Sequence, residues 1–251
     1  MTLRTSKTNL RLSVLDPADL TSSVRRRSLN DDEVAVAIPR PCELVQQQKW
    51  TDLFSALSID ERKRMLSIRF RRDRELFLAA HVLLRATLSF WGNLEPSTWE
   101  FRAGVCGKPE ITGSISNLRF SLSHTDELVA CAVAVNREVG IDVERISSSA
   151  PLEIAPHYFS MRENLEMRDL PYEGRIMRFF TYWTLKEAYV KACGVGLSPR
   201  TRDFSLYRDR AGSWRIAFDS SADGPQDWQF WSWQVGEQHT CSVAAMVPSA
   251  V

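Results

Sequence analysis

Asp142 and Glu144 stand two residues apart in Gly140-Ile141-Asp142-Val143-Glu144. Glu187 and Lys191 stand four apart in Trp183-Thr184-Leu185-Lys186-Glu187-Ala188-Tyr189-Val190-Lys191. A strand sends alternate side chains to opposite faces, so the first pair shares a face. A helix stacks residues four apart on one face, so the second pair does too. Three carboxylates and the ammoniums of Lys186 and Lys191 together suit a hard cation beside a phosphate. The donors are oxygen only, which favours Mg2+ with a few carboxylates and substrate oxygens. Taken singly, each pair is unremarkable. An isolated Asp-x-Glu is usually a solvated strand face, and Glu187–Lys191 an ordinary helix-surface ion pair. Trp183, on the same helical stripe, reads as a core anchor.

Other residues offer less. Residues 61–74 hold Arg62, Lys63, Arg64, Arg69, Arg71, Arg72 and Arg74 against Glu61 and Asp73. Such a segment can grip phosphate, an acidic partner or nucleic acid. Phe70 and Phe77 are its only aromatics nearby, too few for a base-stacking surface. Ser121, Ser123, His124 and Asp126 do not make a hydrolase triad. Neighbours in one strand cannot aim at each other, and no Gly-x-Ser-x-Gly elbow is present. Ser123 and His124 read better as hydrogen-bond donors to phosphate. Neither a Walker A loop nor Gly-x-Gly-x-x-Gly occurs.

The chain of 251 residues is 44% hydrophobic and 25% charged, the balance of a globular protein with a real core. Net charge is +1, so phosphate affinity must come from local patches. Five widely spaced cysteines show no zinc-type spacing and read as reduced thiols in a cytoplasmic protein. No run has the length of a membrane span. Residues 1–33 are polar, with Arg25-Arg26-Arg27 before Asp31-Asp32-Glu33, and read as a flexible tail outside the fold.

The elements that must position these residues follow from periodicity. Val34 to Ile38 is the first expected strand. A helix is expected through Trp50, Leu53, Phe54 and Leu57. Ser58-Ile59-Asp60-Glu61 is a capping box opening a short basic helix. A longer helix carries Phe77, Ala80, Leu84, Leu88 and Trp91 on one stripe and ends at Gly92-Asn93. Strands are expected at 99–102, 120–123 and 128–135. Asn136-Arg137-Glu138 should turn the last of these into 139–146 as a hairpin. Ser147 to Pro151 marks a junction. Helices should fill 151–193, broken near Pro171 and capped by Gly194. Short strands follow near 204–207, 214–218, 228–233 and 240–247. Cys131-Ala132-Val133-Ala134 and Cys241-Ser242-Val243-Ala244 hint at an internal duplication. The expected organisation is a tail at 1–33 and α+β subdomains at 34–147 and 148–251.

In order, Arg72-Asp73 to Arg85, Gly107-Lys108-Pro109, Phe120 to Thr125, Gly140 to Glu144 and Trp183 to Lys191 resemble the Sfp-type 4′-phosphopantetheinyl transferases. The likeness spans about residues 34–247 and follows the branch spelled Trp-x-x-Lys-Glu-Ala. It implies an α+β fold of two similar halves related by pseudo-twofold symmetry, with the site in the cleft between them. It implies transfer of the 4′-phosphopantetheine arm of coenzyme A to a serine of an apo acyl or peptidyl carrier protein. Adenosine 3′,5′-bisphosphate would be the other product. By this resemblance Asp142, Glu144 and Glu187 hold Mg2+, Glu187 is the base, and Lys191 assists the leaving group. Lys186 and Lys191 meet the pyrophosphate. Arg64, Lys108, Ser123 and His124 hold the nucleotide and its 3′-phosphate. A monomer is expected, with no nucleic-acid or membrane partner. The alternative is a non-catalytic module that binds coenzyme A or a carrier protein. Ser121, His81 and Asp126-Glu127 depart from common family spellings without removing a proposed ligand.

Overall fold

The computed structural model describes residues 10–21, 28–47, 54–104, 107–113, 116–195, 199–218 and 227–247. The chain divides into two compact units. One holds residues 11–136. The other runs from Arg137 onward and includes Leu10. The break lies at Asn136–Arg137, before the strand that carries Asp142, rather than at the junction expected after residue 147.

The first unit is built on a four-stranded sheet of order β1-β2-β6-β5. Its strands are β1 (Arg11–Val14), β2 (Glu33–Ala37), β5 (Leu118–His124) and β6 (Val129–Val135). β1 pairs parallel with β2, and the other pairs are antiparallel. The sequence VACAVAV makes β6 small and apolar on both faces, and all seven residues are buried. Helix α1 (Pro17–Thr21) follows β1, and α2 (Pro41–Gln47) follows β2. Helix α3 (Ile59–Ser67) starts from a complete capping box: Glu61 N–H donates to Ser58 Oγ, and Ser58 N–H donates to Glu61 Oε2. Helix α4 (Arg71–Gly92) lays Ala80, Leu84, Leu88 and Trp91 on the sheet, against Val129, Cys131 and Val133. It ends where Asn93 turns left-handed at φ 56°, as Gly92-Asn93 predicts. Phe77 packs elsewhere, in a small cluster with Leu57, Met65, Leu78 and Val82. β3 (Phe101–Ala103) and β4 (Pro109–Ile111) form a separate ribbon. Trp50 and Leu53 lie outside the described residues.

The second unit is a fully antiparallel sheet of order β7-β11-β10-β9-β8. The strands are β7 (Val139–Arg145), β8 (Phe204–Arg208), β9 (Trp214–Phe218), β10 (Trp228–Val235) and β11 (His239–Met246). Helices α5 (Ala155–Tyr158) and α6 (Met161–Arg168) precede α7 (Tyr172–Cys193). α7 runs 22 residues from Pro171 to a left-handed Gly194 cap. Phe179, Tyr182, Leu185, Ala188 and Ala192 of α7 share a core with Phe204, Leu206, Trp214, Trp228 and Phe230. Each unit is therefore α+β, with one long helix on its sheet. The two Cys-x-Val-Ala runs fall in β6 and β11, each an inner strand of its own sheet. Among the described residues no helix is long and apolar enough to cross a membrane.

Two expectations fail for physical reasons. β6 and β7 do not form a hairpin. β6 is already flanked by β2 and β5, so it has no edge to offer, and β7 pairs with β11. Nor does order begin only at residue 34. Arg11-Leu12-Ser13-Val14 alternates polar and apolar residues and joins the sheet edge. The side-chain amide of Gln229 donates to Leu10 O and accepts from Leu10 N–H, both at 2.9 Å. Arg25 to Arg27 lie outside the described residues.

Candidate active site

Gly140, Asp142 and Glu144 take alternate positions on edge strand β7, opposite Ala244, Ser242 and Thr240 of β11. Their common face meets α7. A Cβ built on Gly140 would stand 1.9 Å from Ala188 O and 2.6 Å from Ala192 N. Only a residue without a side chain lets the helix backbone approach the strand this closely. At the next position on that face, Lys191 Nζ donates to Asp142 Oδ1 at 2.7 Å. Further along, the Trp183 side chain hydrogen-bonds Glu144. Strand and helix thus run in opposite senses, and Trp183, Glu187 and Lys191, each one turn apart, line the contact. Thr184 and Ser242 hydroxyls meet at 2.8 Å beside it.

The electrostatics follow. Burial pushes the Glu144 carboxyl up to about 7, and the Asp142 charge adds to the rise. The Lys191 ammonium and the Trp183 hydrogen bond oppose it. Burial likewise pushes Glu187 up to about 7; Asp142 and Glu144 also raise it, and Lys191 opposes. Asp142 is buried, while the Lys191 side chain keeps 31% of its exposure. The result is an acidic cluster partly balanced by one reachable ammonium.

Among the described residues no group of three or more His, Cys, Asp or Glu side chains is arranged to hold a metal ion. The donor set still fits a hard cation by chemistry: mutually repelling, oxygen-only carboxylates at partial burial. As arranged, the Lys191 ammonium occupies one oxygen of Asp142.

Lys186 goes elsewhere. Its Nζ donates to Thr201 O at 2.6 Å and Phe204 O at 2.9 Å, and pairs with Glu163 Oε2 at 2.9 Å. The Phe204 ring covers it at 4.1 Å, and it is 2% exposed. A lysine with three internal acceptors is not placed to meet a pyrophosphate, which corrects the expectation for Lys186. Trp183 is also more than a core anchor. Its ring stacks on Phe179, while its N–H serves Glu144. Sequence reasoning missed Glu163, although Ser160-x-x-Glu163 is a capping box that spacing alone reveals.

The other expected residues belong to the unit of residues 11–136. Arg64 is exposed on α3, its guanidinium 5.8 Å from the Phe77 ring centre. Lys108 is half-buried where the loop enters β4, its carbonyl accepting from Gly104 N–H. Ser123 is buried and His124 exposed at the end of β5.

A sequence profile described as the 4′-phosphopantetheinyl transferase superfamily matches residues 138–244. A second, described as the N-terminal part of 4′-phosphopantetheinyl transferases, matches residues 45–136. The chain belongs to the 4′-phosphopantetheinyl transferase superfamily. The two profiles meet where the two structural units divide. The 4′-phosphopantetheinyl transferase HetI of Nostoc sp. is 39% identical over 150 residues, covering 59% of this chain and 63% of that protein. The transferase gsp of Aneurinibacillus migulanus is 32% identical over 146 residues, covering 57% and 60%. The transferase Sfp of Bacillus subtilis is 27% identical over 177 residues, covering 70% and 78%. The chain thus spans about three-fifths of the length of the first two relatives. Within this superfamily member, Asp142, Glu144, Glu187 and Lys191 all fall in the superfamily segment, and Arg64, Lys108, Ser123 and His124 in the N-terminal one.

Proposed function

We propose that this chain transfers the 4′-phosphopantetheine arm of coenzyme A to a serine of an apo acyl or peptidyl carrier protein. The gathering of Asp142, Glu144, Glu187 and Lys191 on the β7–α7 face of a superfamily member carries this reading. In the reaction the serine oxygen bonds to the phosphorus that bears the pantetheine arm. The bond from that phosphorus to the bridging pyrophosphate oxygen breaks, and adenosine 3′,5′-bisphosphate departs. Glu187 takes the serine proton. In the metal-free cluster, burial and the Asp142 and Glu144 charges raise its carboxyl above the ordinary range, which strengthens it as a proton acceptor. The Lys191 ammonium, half-exposed beside Asp142, steadies the charge on the leaving oxygen. Asp142, Glu144 and Glu187 are the residues that would hold Mg2+. When bound, that ion supplies neutralisation of the pyrophosphate charge. Arg64, Lys108, Ser123 and His124 are our assignment for the nucleotide and its 3′-phosphate.

The test is direct. Wild-type protein with coenzyme A, Mg2+ and an apo-carrier should add one phosphopantetheine mass to the carrier. Glu187→Gln and Asp142→Asn should each slow transfer by at least about a hundredfold while the protein stays folded. No mass gain on fatty-acid, polyketide or peptide-synthetase carriers would overturn the reading.

A further inference from the structure

The residue before the proposed base is half of an ion pair enclosed within its unit. Lys186 and Glu163 side chains are 3% and 0% exposed, and their charges meet at 2.9 Å. Glu163 is the hub. Its Oε1 accepts from Leu206 N–H at 2.7 Å, and its Oε2 accepts from Ser160 N–H at 2.8 Å as well as from Lys186. Ser160 Oγ in turn accepts from Glu163 N–H and from Ser205 Oγ. Four pieces of chain therefore converge on one ion pair: the start of α6, the 3-10 turn Pro199–Asp203, the start of β8, and α7.

We propose that the Glu163–Lys186 pair is a positioning device that sets the rotation of α7 about its axis and so aims Glu187 at Asp142 and Glu144. The proposal rests on the transfer reading above. Successive helix residues point about 100° apart. Lys186 can therefore be pegged toward β8 while Glu187 faces β7. On the β7 side the helix backbone rests on Gly140, and the directed bonds there run through Lys191 and Trp183 of the cluster itself and through the Thr184 hydroxyl. On the β8 side three directed bonds from Lys186 hold the helix against rolling independently of the cluster. A roll of about 10° displaces a side-chain end by about 1 Å, enough to cost about a hundredfold in rate. Such a pair is a poor stability device, because well-packed apolar residues serve a core as well. Its directed bonds give what apolar packing does not, a fixed orientation. Neither residue touches substrate in this account.

The test uses Glu163→Gln, Lys186→Met and the double variant Glu163→Leu/Lys186→Met, each checked for folding by a thermal melt. The readouts are kcat, KM for coenzyme A, and coenzyme A affinity by calorimetry, which needs no turnover. Positioning predicts a kcat loss between about tenfold and a hundredfold in both single variants. Coenzyme A affinity should stay within about twofold of wild type. The double variant should be no slower than the singles, since all three remove one device. Should a single variant fail to fold from its stranded charge, the double variant, which strands none, carries the same two readouts. Wild-type kcat in folded variants would overturn the proposal and leave the pair structural. Weakened coenzyme A binding in Lys186→Met alone would overturn it in favour of a phosphate ligand. A wild type that modifies no carrier would instead overturn the transfer reading, a failure seen without any mutation.

Discussion

Glu144 and Glu187 share an unusual condition: both titrate near 7 rather than at their ordinary value of 4.5, chiefly through burial and secondarily through the Asp142 charge. Their protons come off as those of a coupled set. Between the two values the folded protein binds more protons than the unfolded chain, so stability must fall as pH rises through that window. The stabilisation is complete at the acid end and lost above about 7. We expect the metal-free melting midpoint to drop by on the order of a few degrees between about pH 5 and pH 7.5. A Glu144→Gln/Glu187→Gln variant should lose that slope. Added Mg2+ should raise the wild-type midpoint more at the alkaline end, because a bound cation favours the ionised carboxylates. A flat wild-type profile, equal to the variant's, would remove the coupled cluster. At this scale the sequence was informative where spacing decides. Alternation and the i,i+4 rule put Asp142, Glu144, Glu187 and Lys191 on meeting faces. Lys186 was illegible, because nothing beside it in the chain announces that Glu163 and two backbone carbonyls await its ammonium. Trp183 was half legible: an aromatic ring reads as core, whereas its N–H partner depends on a strand far away in sequence.

The meeting of β7 and α7 is the element on which the cluster depends, and its closest point is Gly140. A methyl there would enter the backbone of Ala188 and Ala192, which cannot swing aside as a side-chain end can. Gly140→Ala should destabilise the protein by about 1–3 kcal/mol and, by lifting α7 from β7, lower transfer more than the stability loss accounts for. Gly174, near the start of the same helix, is the contrast. A Cβ there finds its nearest atoms at 3.4–3.6 Å, ordinary or nearly ordinary contacts with Leu170 and Pro171 side chains. Gly174→Ala should leave transfer unchanged and raise stability by about 0.4–1 kcal/mol by restricting the unfolded chain. Urea titrations and initial rates on both variants check the pair. Equal behaviour of the two would mean the close approach does not govern the site. Element types and ends were largely readable: the Ser58–Glu61 box, Asn93 and Gly194 all act as their residue types require. Strand partners were not. Asn136-Arg137-Glu138 looks like a hairpin turn, but pairing is decided by which edges remain open, and β6 has none.

Across the whole molecule, each unit buries its own cysteine. Cys131 lies in β6 within the core that α4 covers, and Cys241 lies in β11 beside Asp142. Both are 0% exposed. Burial pushes the Cys131 thiol up from 9.0 to about 12, and pushes Cys241 well above its ordinary range, with Asp142 adding to the latter. Cys42 and Cys193 are exposed thiols. Cys106 lies outside the described residues. The two Cys-x-Val-Ala runs each mark an inner strand of their own sheet. The division of the chain was less legible, because the polar first strand masks its pairing and the Ser147–Pro151 break lies after β7 rather than before it. A thiol reacts as thiolate and only when reached, so access and acidity act together here. We expect a disulfide reagent, followed by peptide mass mapping, to label Cys42 and Cys193 at least about a hundredfold faster than Cys131 and Cys241 in native buffer. With rising urea, labelling of Cys131 should report opening of the sheet of residues 11–136, and labelling of Cys241 opening of the sheet that carries Asp142. Native labelling of Cys241 as fast as Cys193 would mean that β11 does not stay closed behind β7. The face on which Asp142 and Glu144 stand would then lack the support that holds them toward α7.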